Sequence, residues 1–161
     1  MTDNAYKQAR FNMVEQQVRP WEVIDLRILR VMQEMPRENF VSEDYKGLAY
    51  ADIEIPLGDA EGQSMLAPKV VGRMLQAVNI QDDDRILEIG TGTGYTTACL
   101  ALLGGTVVSL EINADLAGKA QAVLTSLGLR GVEVRVADGM ASPVEGGPFD
   151  VIVLTGSTPE D

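Results

Sequence analysis

The chain changes rhythm about halfway along. Up to Val78 its apolar residues recur mostly at helical intervals, and from Ile86 onward short apolar runs alternate with helical stretches. The first rhythm predicts a helix from a cap at Asp3 to about Val18, stopped by Pro20. A second helix follows Asp25, with Leu26, Leu29, Met32 and Met35 on one face before Pro36. That Met and Leu stripe reads as core. The stretch Phe40–Pro56 has little helical period and reads as a loop leading into a short extended piece containing Ile53 and Ile55. Gly62, Gln63 and Ser64 form a polar lead that either carries chemistry or caps the next helix. That helix starts at Pro68, a residue suited to a first helical position, and carries Val70, Val71, Met74, Leu75 and Val78 on one face.

In the second rhythm Asp82, Asp83 and Asp84 make a turn before a strand over Arg85–Ile89. A helix after Gly94 runs to Leu103 and stops at Gly104 and Gly105, and Val107, Val108 and Leu110 then make a second strand ending in Glu111. A helix over Ala114–Leu127 turns Leu116, Ala120, Val123, Leu124 and Leu127 to one side. Val132, Val134 and Val136 make a third strand before Asp138 and Gly139, and Phe149–Leu154 is a fourth. The continuous apolar run of the fourth predicts burial on both faces. Strands alternating with helices predict an α/β fold, a parallel sheet with right-handed crossovers and a ligand at the carboxyl ends of the strands. Gly90–Gly94, Glu111, Asp138 and Thr155 all fall at such ends.

The turn between the first predicted strand and its helix reads RILEIGTGTGYTTA, Arg85–Ala98. Glycines at alternate positions allow positive φ and close approach of a ligand, and the helix beyond points free N–H groups at it. An acidic residue closing the next strand about 20 residues on is placed to accept from ribose hydroxyls. A nucleotide-like ligand is therefore predicted over this turn. A dinucleotide fold shows GxGxxG, and Tyr95 occupies the position of its third glycine, which disfavours a nicotinamide-dependent oxidoreductase.

Composition removes further classes. The 161 residues suit one structural unit and carry a formal charge of −11. Such a surface repels phosphate backbones and anionic head groups, which argues against nucleic acid, a helix-turn-helix reader or a membrane as partner. With no histidine and one cysteine, Cys99, imidazole catalysis, HExxH zinc sites and disulfides are excluded and no metal is expected. A polar start and the lack of a long apolar run predict a cytoplasmic protein.

The segment LEIGTGTGY, with Glu111 and Asp138 beyond it, resembles the S-adenosylmethionine-dependent methyltransferases of Rossmann-like fold. The earlier MVEQQVRPWEVIDLRILRVMQEMPRENFVSEDYKGLAYADIEIPLG, followed by GQSMLAPKVVGRMLQAV, looks like the N-terminal region of the protein-L-isoaspartate O-methyltransferases. That resemblance implies a parallel sheet with helices on both faces behind a helical N-terminal extension, 1–57, and a methyltransferase core, 58–161. It implies S-adenosyl-L-methionine as cofactor and a carboxylate of a damaged protein as acceptor. It puts Glu88, Gly90, Thr91, Gly92, Gly94, Tyr95, Glu111, Asp138 and Gly139 at the cofactor, with Glu111 on the ribose hydroxyls and Asp138 on the adenine amino group. On the acceptor side it places Gln63, Ser64 and Leu66. The family pattern after glycine and glutamine is threonine, a branched residue and a catalytic-site serine, whereas here Gly62 and Gln63 are followed by Ser64, Met65 and Leu66. Leu66 thus stands at the serine position, and two extra residues fall within Asp59–Glu61. A non-catalytic relative that binds the cofactor or a partner protein is the alternative these departures raise.

The sequence reaches TGSTPED just after the fourth predicted strand, whereas the resemblance implies further strands. An edge as apolar as VIVL predicts a cover, from strands beyond the sequence given or from a second copy in a homo-oligomer.

Overall fold

The computed structural model describes residues 1–57, 63–141 and 143–155. Two units divide the chain, Met1–Asn79 and Ile80–Asp161.

In the first unit, α1 (Asp3–Met13) begins at Thr2, whose hydroxyl accepts from Ala5 N–H at 3.2 Å. Thr2 is therefore the cap, and Asp3 sits inside the first turn, where its charge favours the positive helix end. The α-helical geometry stops at Met13 and not at Val18. Val14–Val18 widens into a π turn and Arg19–Trp21 tightens into a 3₁₀ turn around Pro20, which has no N–H to give to the turn before it. Helix α2 (Leu26–Glu34) starts where predicted, with Asp25 Oδ1 accepting from Arg27 N–H at 2.9 Å. Its inward face is Ile28, Leu29, Val31 and Met32, and Leu26 is 69% exposed because that face lies two residues further along the helix.

Phe40–Pro56, expected as loop, is partly 3₁₀, with turns at Arg37–Phe40 and Glu43–Leu48. Strand β1 (Ile55–Pro56) pairs antiparallel with β2 (Ser64–Met65), burying Ile55 and leaving Ile53 exposed. Gly62 and the extra residues at Asp59–Glu61 lie outside the described residues. Helix α3 (Pro68–Val78) has Pro68 at its first turn and buries Val71, Gly72 and Leu75, while Val70 turns outward. Its cap residue is Ala67, so Gln63 and Ser64 do not cap it.

The second unit is a four-stranded parallel sheet in the order β5-β4-β3-β6. Strand β3 (Arg85–Ile89) leads through the glycines to α4 (Tyr95–Leu103), β4 (Thr106–Glu111), α5 (Ala114–Ser126) and β5 (Val132–Val136). Right-handed crossovers put α4 and α5 on one face of the sheet, the face that carries Ile86, Glu88, Val107 and Ser109. Burying Ile86, Leu100, Leu103 and Val107 there contributes about 1.5–3 kcal/mol per side chain. Against expectation, α5 buries Ala117 with Ala120 and Leu124, while Leu116, Val123 and Leu127 are only half-buried. Cys99 is buried within α4.

Strand β6 (Val151–Leu154) is shorter than predicted and is buried on one face only. Val153 points to the helices, while Ile152 is 63% and Leu154 50% exposed. Among the described residues the crossover from β5 to β6 contains no helix to cover that second face. No helix among the described residues is long and apolar enough to cross a membrane, and none of their side chains cluster as a metal site.

Candidate functional site

Three glycines shape the bend that follows β3. Gly90, Gly92 and Gly94 take φ of +98°, +56° and +91°, the left-handed region where a Cβ is penalised. The bend is held from within: Gly90 N–H and Thr91 N–H donate to the Leu110 carbonyl at 2.8 and 3.2 Å, and Gly94 N–H donates to the Thr91 carbonyl at 2.9 Å. A Cβ added at Gly94 would lie 3.1 Å from Ala120 Cβ on α5. The glycines of the bend offer bare backbone, and α4 begins directly after it, its cap residue Gly94 having no side chain and its Tyr95 N–H donating to Thr93 Oγ1 at 3.3 Å.

Glu111 closes β4 beside the bend. Its Oε1 accepts from Gly92 N–H and its Oε2 from Asn113 N–H, both at 2.9 Å. Each carboxylate oxygen keeps a further lone pair, so acceptor capacity for hydroxyls remains. Asp138 opens the turn after β5, with Oδ1 accepting from Met140 N–H at 2.9 Å and its side chain exposed. Gly139 brings this turn close to the bend: a Cβ there would sit 3.0 Å from Ile89 Cγ2 and 3.2 Å from Leu110 Cδ1. Gly90–Gly94, Glu111, Asp138 and Gly139 thus gather at one end of the sheet, where the strand pattern expected them. An open cavity of about 290 Å³ borders Asp138 on the side of Arg135, Val144 and Glu145. The Arg135 guanidinium there already bonds the Glu133 carboxylate and the Glu145 carbonyl.

Two residues expected at the ligand are turned away from it. Tyr95 is buried in the first turn of α4 and offers a ligand only its main chain. Glu88 is 0% exposed. Its Oε1 accepts from Ser109 Oγ at 2.6 Å and from Thr97 Oγ1, and its Oε2 faces Thr155 Oγ1 at 3.3 Å. Thr91 Oγ1 joins the cluster through Ser109 Oγ at 2.6 Å. Burial pushes the Glu88 carboxyl up to about 7, opposed by the Ser109, Thr97 and Thr155 hydroxyls and reinforced by the neighbouring Glu111 charge. This cluster ties the bend to β4, α4 and the end of β6. The sequence showed the acidic residue but not its partners, which come from three other segments.

The segment expected on the acceptor side belongs to the first unit. Gln63 is exposed, Ser64 and Leu66 are half-buried, and Met65 between them is buried. Alternation in the extended segment therefore sets Ser64 and Leu66 on one face. The Leu57 N–H donates to the Gln63 carbonyl at 3.0 Å and fixes one end of the segment. The other end is fixed by Arg37, which sequence reasoning missed: its fully buried guanidinium donates to the Leu66 carbonyl at 2.8 Å and to the Ala49 carbonyl at 2.7 Å. Its surroundings in the sequence, EMPRENF, are themselves largely polar and charged and give no sign that Arg37 is buried.

Comparison with known proteins bears on this arrangement. The family profile described as Protein-L-isoaspartate(D-aspartate) O-methyltransferase (PCMT) matches residues 9–160. Protein-L-isoaspartate O-methyltransferase 1 of Syntrophobacter fumaroxidans is 41% identical over 155 residues, covering 96% of this chain and 72% of the relative. Among solved structures, a protein-L-isoaspartate O-methyltransferase is 28% identical with a TM-score of 0.78 over 92% of this chain, and the chain spans 47% of that structure's length. A Plasmodium falciparum chain described as a beta-aspartate methyltransferase in complex with S-adenosyl-L-homocysteine is 20% identical, with a TM-score of 0.75 over 96% of this chain and 75% of its own, a likeness of fold.

Proposed function

The chain belongs to the protein-L-isoaspartate(D-aspartate) O-methyltransferase family, and from that premise we propose that it transfers methyl from S-adenosyl-L-methionine to a carboxylate of a damaged protein or peptide. The observation that carries the reading is the positive-φ glycine bend whose Gly92 N–H rests on the Glu111 carboxylate. The donor set fits this cofactor. Bare backbone at Gly90, Gly92 and Gly94 admits close approach, the positive end of α4 suits an amino-acid carboxylate, and Glu111 and Asp138 suit hydroxyl and amino donors.

Bound there, S-adenosyl-L-methionine supplies an electrophilic methyl on a sulfonium. An acceptor carboxylate near its ordinary pKa of about 4 is already ionised at neutral pH, so the protein need supply no general base. A chain without histidine can therefore promote this reaction by binding and orientation, which contribute up to about 7–11 kcal/mol when reactants are well aligned. On the acceptor side, Gln63 offers an amide and Ser64 a hydroxyl, whereas Leu66 offers no side-chain donor. Arg37 fixes the main chain of that segment.

Leu66 favours a second reading, in which the chain binds the cofactor without repairing isoaspartyl residues. Calorimetric titration with S-adenosylhomocysteine and with NAD, followed by labelled methyl transfer to an isoaspartyl peptide and an aspartyl control, separates them. Binding of S-adenosylhomocysteine with selective transfer is the expected result. Binding without transfer selects the silent relative, and binding of NAD alone ends the proposal.

A further inference from the structure

Thr155 stands where three acceptors compete for one proton. Its Oγ1 lies 2.5 Å from the Gly90 carbonyl, 3.3 Å from the Ile89 carbonyl and 3.3 Å from Glu88 Oε2. A hydroxyl has a single proton to give but also accepts. The other oxygen of Glu88 is already engaged, accepting from Ser109 Oγ at 2.6 Å and from Thr97 Oγ1. A proton carried by Glu88 therefore belongs on Oε2, facing Thr155.

The two charge states of Glu88 then demand different hydrogen bonding. When Glu88 is neutral, Oε2–H donates to Thr155 Oγ1 and Thr155 donates to the Gly90 carbonyl, an unbroken chain into the bend. When Glu88 is ionised, Oε2 would face a Thr155 lone pair unless the hydroxyl turns toward it, because two acceptors cannot share the contact. The turned hydroxyl deserts Gly90, and the carbonyl at the start of the bend loses its internal donor. An open carbonyl beside a buried negative charge is a seat for an ammonium group.

We propose that Thr155 is a positioning residue that relays the ionisation of Glu88 to the Gly90 carbonyl, so that ammonium-bearing ligands bind the bend more tightly when Glu88 is ionised. The inference rests on the proposed function in taking the bend as the cofactor's seat. Burial raises the Glu88 carboxyl to about 7, so both states are populated near neutral pH. The groups facing it are Ser109 and Glu111 from β4, Thr97 from α4 and Thr155 after β6, and Glu111 is the titratable one among them.

The test is calorimetric titration between about pH 5.5 and 8 with two probes: S-adenosylhomocysteine, which carries an ammonium, and 5′-methylthioadenosine, which shares the nucleoside thioether and lacks it. The Kd for S-adenosylhomocysteine is expected to fall about tenfold as pH rises, while that for methylthioadenosine stays level. Thr155→Val, which leaves the Gly90 carbonyl open at every pH, should shrink the trend to the part due to the Glu88 charge alone, and Thr155→Ser should keep it whole. Glu88→Gln should bind weakly at every pH, and where that variant fails to fold, the Thr155 pair decides. Identical pH profiles for the two probes, or an unchanged trend in Thr155→Val, would overturn the relay. Binding of neither probe at any pH overturns the proposed function along with it, a result distinct from binding without a pH trend.

Discussion

The Gly92 N–H donates to Glu111 Oε1 at 2.9 Å. One carboxylate thus steadies the middle of the bend while keeping lone pairs for a ligand, and the two roles respond differently to substitution. In Glu111→Gln, an amide N–H₂ replaces one oxygen and opposes either the Gly92 or the Asn113 N–H. The Kd for S-adenosylhomocysteine should rise about 10- to 100-fold, since a bond to a charged group contributes about 1.5–3 kcal/mol. Calorimetry giving a Kd within about twofold of the unmodified chain would remove Glu111 from the site.

Gly94→Ala tests the bend itself. Its φ of +91° penalises any side chain, and the new Cβ would meet Ala120 Cβ at 3.1 Å. The left-handed conformation alone costs about 1–2 kcal/mol, and a chain of this size loses about 2–4 °C in Tm per kcal/mol. A Tm lowered by several degrees and weaker S-adenosylhomocysteine binding are expected together. An unchanged thermal melt contradicts the conformation described.

The sequence made local features legible and long-range ones not. Arg85–Ile89 and Val132–Val136 are strands with the predicted boundaries because apolar runs there are bracketed by turn residues. Gly90–Gly94 and Glu111 announce themselves because positive φ and a strand-end carboxylate are requirements of single positions. The Glu88 cluster is different: Thr97, Ser109 and Thr155 lie 9, 21 and 67 positions away, and only the packed sheet brings them together. Leu26 and Ile152 are exposed for a related reason, since apolarity says that a residue can be buried but not that a neighbour exists to bury it.

Glu88 also sets a slope in stability against pH. Its folded carboxyl is pushed up to about 7 by burial, above the ordinary 4.5. Between those values the folded state holds a proton that the unfolded state has released. The stabilisation is therefore fully present below about 4.5 and is lost as pH rises through about 7, an effect of about 3 kcal/mol. Glu88→Gln lacks this group, so urea melts should show the variant gaining on the unmodified chain by about that amount from about pH 5 to 8. Parallel pH curves for the two proteins are the contrary result.

Arg37 is expected to be costly to remove. Its buried guanidinium donates to the Ala49 and Leu66 carbonyls at 2.7 and 2.8 Å, and Arg37→Ala leaves both without that partner. With about 1.5–3 kcal/mol for each of two bonds to a charged group, the loss is about 3–6 kcal/mol. Arg37→Lys, which keeps a charge but not the fork, should recover part of it. Chemical denaturation measures both variants, and an alanine variant as stable as the parent would show the two carbonyls satisfied by other means.

Leu66→Ser asks whether the acceptor side needs only a hydroxyl. Arg37 grips Leu66 by its carbonyl, which every residue has, so the main-chain path should survive the change of side chain. Ser64 lies on the same face but about 6.6 Å along the extended segment, too far for its hydroxyl to stand in without a shift of the loop. A donor restored at position 66 and felt in the transition state should raise kcat/KM toward an isoaspartyl peptide about 10- to 150-fold. S-adenosylhomocysteine affinity, which the proposed function assigns to Gly90–Gly94 and Glu111, should not move. If kcat/KM stays level while the cofactor still binds, a hydroxyl at position 66 is not what the acceptor side needs, and Gln63 and Ser64 become the next positions to vary.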